Sequence, residues 1–249
     1  MTKKTVVITG GTRGIGLNIT KAFIDEGYNV YVGARKISDL TSFNQASFTF
    51  ISTDVRREKD IKLLIETAKL ETGRLDVVVN NAGYSEWRPI EEIDEKFLSD
   101  ILATNLMGTM WGCKAAVTNM TNGGSIINIS SIAGKRGSTN NSAYVATKFG
   151  MNGLTQSIAK EVGPRGIRVN GICPVLVPTD GLIEALKSPH SPANGKGINF
   201  IKQFAQNHSA LGRLPTGEDV AAMCIFLAST ASSAMTAQNI NLDCGVFPQ

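Results

Sequence analysis

The chain has 249 residues with 42% hydrophobic composition, enough for one α/β domain with a substantial core. Its net charge of +4 comes from scattered basic residues rather than a stripe, which argues against nucleic-acid binding. No apolar run reaches the length of a membrane span and no secretory leader is legible. The four cysteines lie far apart without a Cys-x-x-Cys pair, as expected of reduced thiols in a cytoplasmic protein. His190 and His208 lack companion ligands, so no metal site is expected.

Thr5 to Thr9 is a short apolar run. Gly10, Gly11, Gly14 and Gly16 follow it, and then a helical pattern through Ile19, Phe23 and Ile24. A glycine turn between strand and helix lets backbone N–H groups approach a phosphate at the helix N-terminus, where the dipole favours negative charge. The spacing, Thr-Gly-x-x-x-Gly-x-Gly, differs from the widespread Gly-x-Gly-x-x-Gly fingerprint.

The second strand, Asn29 to Gly33, runs into Ala34-Arg35-Lys36. This lies about 20 residues beyond the turn, where an acidic side chain would bond the adenosine ribose of NAD. No acid is present. Arg35, assisted by Arg13, suits a 2′-phosphate instead, so NADP(H) is expected in preference to NAD(H). A third strand, Ser47 to Thr53, leads to Asp54, which either meets an adenine amino group or caps a turn. A helix from Glu58 to Thr72 precedes the continuously apolar strand Leu75 to Val79, which ends in Asn80-Asn81-Ala82-Gly83.

Glu91 to Met120 reads as one long helical region, with the polar Asn105 anomalous among apolar faces. Such an asparagine is either a satisfied core amide or the holder of a water beside a lysine. The strand through Ile126, Ile127 and Ile129 ends in Ser130 and Ser131, and the helix after it carries Tyr144 and Lys148 on one face. An ammonium beside a phenol favours the phenolate, so Lys148 is expected to lower the Tyr144 pKa, with a serine hydroxyl facing the phenol across a small oxygen-bearing substrate.

Ile167 to Cys173 is a sixth strand. Residues 180–215 show little regular periodicity and read as a loop-like lid over the site. Thr216 is a candidate N-cap for a helix to Ser229, and Asn239 to Leu242 is a seventh strand. Strand and helix alternate from end to end, without repeat or linker. The prediction is a single α/β domain over residues 1–249, a Rossmann-type doubly wound parallel sheet of about seven strands with helices on both faces. The candidate polar residues then gather beyond the carboxyl ends of the strands.

With Thr9 to Gly16, Asn80 to Gly83, Asn105, Ser131 and Tyr144 to Lys148 in this order, the chain resembles the short-chain dehydrogenase/reductase family over its whole length. The 13-residue interval from Ser131 to Tyr144 matches that family and selects Ser131 over Ser130. The resemblance implies a catalytic set of Asn105, Ser131, Tyr144 and Lys148. In it, Tyr144 is proton donor in reduction, Lys148 serves tyrosine and nicotinamide ribose, Ser131 holds the substrate oxygen, and Asn105 anchors a water that passes protons to Lys148. It also implies cofactor contacts from Gly10, Thr12, Arg13, Gly14, Ile15, Gly16, Arg35, Asp54, Val55, Asn81, Ala82, Gly83, Val177 and Thr179, as well as Tyr144 and Lys148.

The implied activity is interconversion of a ketone and a secondary alcohol with NADP(H) on a small-molecule substrate, by a homotetramer or homodimer. A 3-oxoacyl-thioester reductase acting on acyl carrier protein, a sugar or polyol dehydrogenase, and a non-catalytic nucleotide sensor are the alternatives. Two departures stand out. Val175 follows Pro174 where the family has glycine, and its side chain is expected to narrow the pocket; Cys244-Gly245 replaces a glycine pair.

Overall fold

The computed structural model describes residues 3–37 and 47–248; the remaining residues of the predicted domain lie outside it. Seven parallel strands form one sheet in the order β3-β2-β1-β4-β5-β6-β7. They are β1 (Thr5–Thr9), β2 (Asn29–Ala34), β3 (Thr49–Ser52), β4 (Val77–Asn80), β5 (Gly124–Ile129), β6 (Ile167–Pro174) and β7 (Asn239–Leu242). The order reverses between β1 and β4, so the ligand crevice of such a sheet opens beyond the carboxyl ends of these two strands.

Both faces of the sheet are covered, and alternation along each strand divides the core in two. Val6, Ile8, Val30, Val32, Val77 and Val79 point to one face, where they pack with Ile19 and Phe23 of α1 (Gly14–Asp25) and with Val220 and Leu227 of α8 (Gly217–Ala228). Val7, Tyr31, Val78 and Ile126 point to the other. There they meet Ile61, Leu64 and Ile65 of α2 (Glu58–Thr72), Cys113 and Ala116 of α4 (Gly108–Asn119) and Ala159 of α5 (Ser142–Val162). Each such aliphatic side chain contributes roughly 1.5–3 kcal/mol by leaving water. That burial is why the strands read as unbroken apolar runs in sequence.

Local signals fix several boundaries. Thr216 caps α8 in a reciprocal box: its Oγ1 accepts from the Asp219 N–H at 3.2 Å, and the Asp219 carboxylate accepts from the Thr216 N–H at 2.9 Å. Gly73 ends α2 in the left-handed conformation at φ 75°.

Two expectations are corrected. The long helix predicted over Glu91 to Met120 opens on a separate 3-10 turn (Ile90–Glu92) and then runs as α3 (Glu95–Leu102), a π-helical turn at Ala103–Met107, and α4. A residue inserted into the helical repeat widens that turn, a distortion found often at functional sites. The lid predicted as irregular contains two helices, α6 (Asp180–Ala185) and α7 (Ile198–His208), with Leu186, Ala193, Ile201 and Ala205 buried among Trp87, Ile132, Val175 and Leu214. The Ile201 and Ala205 spacing is helical, but Pro189, Pro192 and the glycines between the two helices hide it.

Candidate active site

The glycine turn between β1 and α1 is closed from below by the end of β4. Gly10, at φ 66°, donates its N–H to the Gly33 carbonyl at 2.7 Å. Asn81 Nδ2 donates to the carbonyls of Thr9 and Gly10, both at 3.0 Å, while Thr9 Oγ1 accepts from the N–H groups of Asn81 and Ala82 at 3.1 and 3.2 Å. A Cβ on Gly16 would stand 2.1 Å from the Gly10 carbonyl oxygen, so only glycine lets α1 start this close to the strand. Gly14, at φ 52°, faces Thr179, whose methyl lies 3.4 Å from where a Cβ would be. The ends of β1, β4 and β6 thus meet around one cradle. Thr12 is buried beside it and Ile15 packs into the core below.

Arg13 and Arg35 are both exposed at this end of the sheet. Asp54 caps the turn that follows β3. Its carboxylate accepts from the Arg56 N–H at 3.1 Å and from the Arg56 guanidinium at 2.6 Å. That hydrogen bonding holds the Asp54 carboxyl below its ordinary range, with the charge of Arg35 adding to the effect. Val55 is buried against Gly108, and Val177 against the core face shared with α1 and α8.

The strand-end serines diverge. Ser130 is buried and donates to Asn152 Oδ1 at 2.7 Å. Ser131 caps a short 3-10 turn at Ile132–Gly134, its Oγ accepting from the Ala133 N–H at 3.1 Å, and its hydroxyl lies near enough to Tyr144 to favour the ionised phenol. Successive residues on an extended backbone point to opposite sides, so only one of the pair can face Tyr144.

Lys148, buried one turn after Tyr144, donates from Nζ to the Ile129 carbonyl at 2.8 Å and lies 5.6 Å from the Tyr144 ring centroid. The expected lowering of the phenol pKa is not what this geometry produces. Burial dominates both groups: it pushes Tyr144 up to about 12, against the opposing influence of the Ser131 hydroxyl, and brings Lys148 down to about 8.

Asn105 sits at the π-helical turn, fully buried, and is a satisfied amide. Its Oδ1 accepts from the Tyr84 N–H at 3.0 Å; its Nδ2 donates to the Tyr84 carbonyl at 2.9 Å and to Thr147 Oγ1 at 3.3 Å. A Cβ on Gly83 would lie 3.1 Å from Asn105 Oδ1, so the Asn81 to Gly83 segment passes directly over it. Thr147 in turn donates to the Tyr144 carbonyl at 2.7 Å. Asn105 therefore joins the loop after β4 to the helix that carries Tyr144 and Lys148.

Sequence reasoning missed Thr147, Tyr84, Asn152 and the Arg56 partner of Asp54. Asn152 had a signal, since it stands four residues after Lys148 on the same helical face. Val175 does not stand free: it is buried among Ile132, Leu186 and Trp87, in the apolar cluster under the lid helices. Cys244 occupies φ 55°, a region that favours glycine, which accounts for the glycine usual there.

A family model described as enoyl-(acyl carrier protein) reductase matches residues 10–247. The 3-oxoacyl-[acyl-carrier-protein] reductase of Chlamydia muridarum is 34% identical over 258 aligned positions, covering 99% of this chain and 98% of its own. The L-2,3-butanediol dehydrogenase of Corynebacterium glutamicum is 35% identical, covering 98% of each chain. Among solved structures, a variant of actinorhodin polyketide ketoreductase with NADPH superposes with a TM-score of 0.90 at 28% identity, over 98% of this chain and 97% of that one. The aldohexose dehydrogenase of Thermoplasma acidophilum gives 0.89 at 29% identity, over 99% and 98%.

Proposed function

Because the chain belongs to the short-chain dehydrogenase/reductase family, oxidoreductases acting on CH–OH and C=O groups, we propose that it is an NADP(H)-dependent carbonyl reductase interconverting a small ketone and its secondary alcohol. The observation that carries this reading is the convergence of three side chains: the Ser131 hydroxyl lies near enough to Tyr144 to favour its ionised form, and buried Lys148 stands on the next turn of the same helix. Two hydroxyls so placed hold one substrate oxygen, and Tyr144 passes it a proton. With its pKa at about 12, Tyr144 stays protonated at neutral pH, the state a proton donor needs in reduction. Lys148 holds its ammonium beside the phenol, and Asn105, pinned to Tyr84 and Thr147, keeps the loop after β4 in register with that helix. The nicotinamide cofactor supplies the hydride.

The residues present fit that cofactor. The cradle at Gly10, Gly14 and Gly16 has no space for a Cβ at Gly16, as close backbone approach to a diphosphate requires. Gly10, Thr12, Gly14, Ile15 and Gly16 would hold the diphosphate end with Thr179, and Asn81 to Gly83 would line the nucleotide. Asp54 and Val55 would flank adenine, Val177 would meet the carboxamide, and Tyr144 and Lys148 the ribose. Arg13 and Arg35 would take a 2′-phosphate. Arg35→Ala is therefore expected to weaken NADPH binding by about tenfold or more and leave NADH unchanged, since a charge-assisted bond contributes about 1.5–3 kcal/mol. Fluorescence titration of both nucleotides checks this, and an equal loss for the two would refute the phosphate role.

The direct test of activity is NADPH oxidation against a panel of ketones, with acetoacetyl thioesters included. The thioester arm tests a second reading, favoured by relatives such as the Chlamydia muridarum enzyme, in which the substrate is carried on an acidic protein. Lys135 and Arg136 flank the turn after Ser131 and would meet such a carrier. Arg165 would not, because its guanidinium donates to the Val117 and Met120 carbonyls at 2.7 and 3.0 Å and so caps α4. No turnover of any panel member would refute both readings.

We place the protein in a reducing, cytoplasmic compartment on its four free cysteines, three of them buried. Among the described residues no helix is long and apolar enough to cross a membrane. A homotetramer or homodimer is proposed from Met107, Met110 and Phe149, each more than 40% exposed along the π-helical turn, α4 and α5. Light scattering on the eluting protein is expected to give two or four times the chain mass of 26.6 kDa; a monomer would overturn it.

A further inference from the structure

Within the reductase reading, on which this inference rests, one buried side chain outside the catalytic set joins the two segments that must act together. Asn152 lies one turn beyond Lys148 on α5 and is 8% exposed. Its Oδ1 accepts from Ser130 Oγ at 2.7 Å, and its Nδ2 donates to the Gly134 carbonyl at 2.9 Å. These contacts grip the strand-end loop at its first and last residues, with Ser131 between them. The loop is closed on itself by the Gly134 N–H, which donates to the Ser131 carbonyl at 2.9 Å. A Cβ on Gly134 would come within 2.6 Å of Asn152 Nδ2 and 2.7 Å of the Lys148 carbonyl, so loop and helix touch without intervening space. The Asn152 carbonyl accepts from Asn239 Nδ2 at 3.2 Å, which ties the same helical turn to β7.

The loop is also tied by the Ser130 N–H, which donates to the Ile172 carbonyl at 2.7 Å, and by the burial of Ile132, but neither holds the Ser131 hydroxyl. The Ser131 Oγ bonds the neighbouring Ala133 N–H and reaches the Pro174 carbonyl only at 3.5 Å. We infer that Asn152 is a positioning residue, a clasp that sets the distance between the Ser131 hydroxyl and Tyr144 by fixing the Ser130 to Gly134 loop on α5. An amide suits the task because it accepts from one loop end and donates to the other at once. Neither aspartate, which loses the donor, nor leucine, which loses both, can do this.

Asn152→Ala is expected to lower kcat about 10- to 100-fold, as a displacement near 1 Å at a reacting group does, with KM for NADPH changed much less because Asn152 bonds none of the glycine-cradle residues. The discriminating measurement is the cycle with Ser131→Ala. In that background Asn152→Ala should lower kcat by no more than about threefold, since its effect passes through Ser131. Additive losses, or an unchanged kcat in the single variant, would overturn the inference. If Asn152→Ala does not fold, Ser130→Ala removes one arm of the clasp and enters the same cycle.

Hydrogen exchange supplies a readout independent of turnover. The Ala133 and Gly134 amides should exchange about tenfold faster or more in Asn152→Ala, and unchanged protection would also overturn the clasp. A wild-type protein inactive on the whole ketone panel would instead refute the reductase reading, with the exchange rates still deciding whether Asn152 holds the loop.

Discussion

Tyr144→Phe is expected to lower kcat for ketone reduction by about 10²–10⁴-fold, the usual contribution of a positioned general acid. The substitution removes one hydroxyl and leaves the ring, which packs beside Phe97, Ile101 and Ala143, so the fold and the glycine cradle are undisturbed. KM for NADPH should therefore change little, and the thermal midpoint should stay within a few degrees. Steady-state kinetics on the best ketone of the panel reads the effect; turnover equal to wild type would remove Tyr144 from the reaction. Direction matters as well. Burial holds the Tyr144 pKa near 12, so the donor form prevails at neutral pH, whereas alcohol oxidation needs the deprotonated phenol. The oxidative rate is accordingly expected to climb with pH through the alkaline range while the reductive rate does not.

Lys148→Met is expected to do two opposite things. Activity should fall by roughly 10²-fold or more, since the ammonium beside Tyr144 is lost. Stability at neutral pH should rise. The folded lysine gives up its proton near pH 8, against 10.5 as the ordinary value, because burial penalises the ammonium. Below pH 8 the fold bears the full cost, about 3 kcal/mol. Between pH 8 and 10.5 the unfolded chain binds the extra proton, so raising the pH stabilises the fold through this residue, and above 10.5 the cost is gone.

The Nζ bond to the Ile129 carbonyl partly offsets the gain when lysine is replaced. A net advantage of about 1–3 kcal/mol for Lys148→Met at pH 7 remains, shrinking to nothing or reversing by pH 10.5. Denaturant unfolding of both proteins across that range measures it. A constant difference at all pH values would show that Lys148 does not titrate with folding. Taken with the kinetics, the expected pattern is a site whose central charge is held against the preference of the fold.

Much of this was legible in the chain because the signals are local. Alternating apolar strands and periodic helices imply a sheet covered on both faces. The glycines after β1 imply a close approach of backbone, and the Thr216 to Asp219 spacing implies a capped helix start. Each depends on residues within a few positions of one another, and each element is found within a few residues of where it was expected. The break in the Glu91 to Met120 helix and the two helices of the lid were not legible. The π-helical turn holds Asn105 against Tyr84 and Thr147, partners far off in the chain, and six residues of α6 carry too little periodicity to stand out.

By itself, then, the sequence determined the doubly wound sheet, the glycine cradle and the placing of Tyr144 and Lys148 on one helical face, all consequences of backbone periodicity. The tertiary structure alone decided that the neighbouring Ser130 is taken by Asn152. It also decided that Asp54 pairs with Arg56, and that burial outweighs the mutual influence of tyrosine and lysine. Those outcomes depend on distances between segments far apart in the chain and on how much water they exclude, and neither is written in spacing.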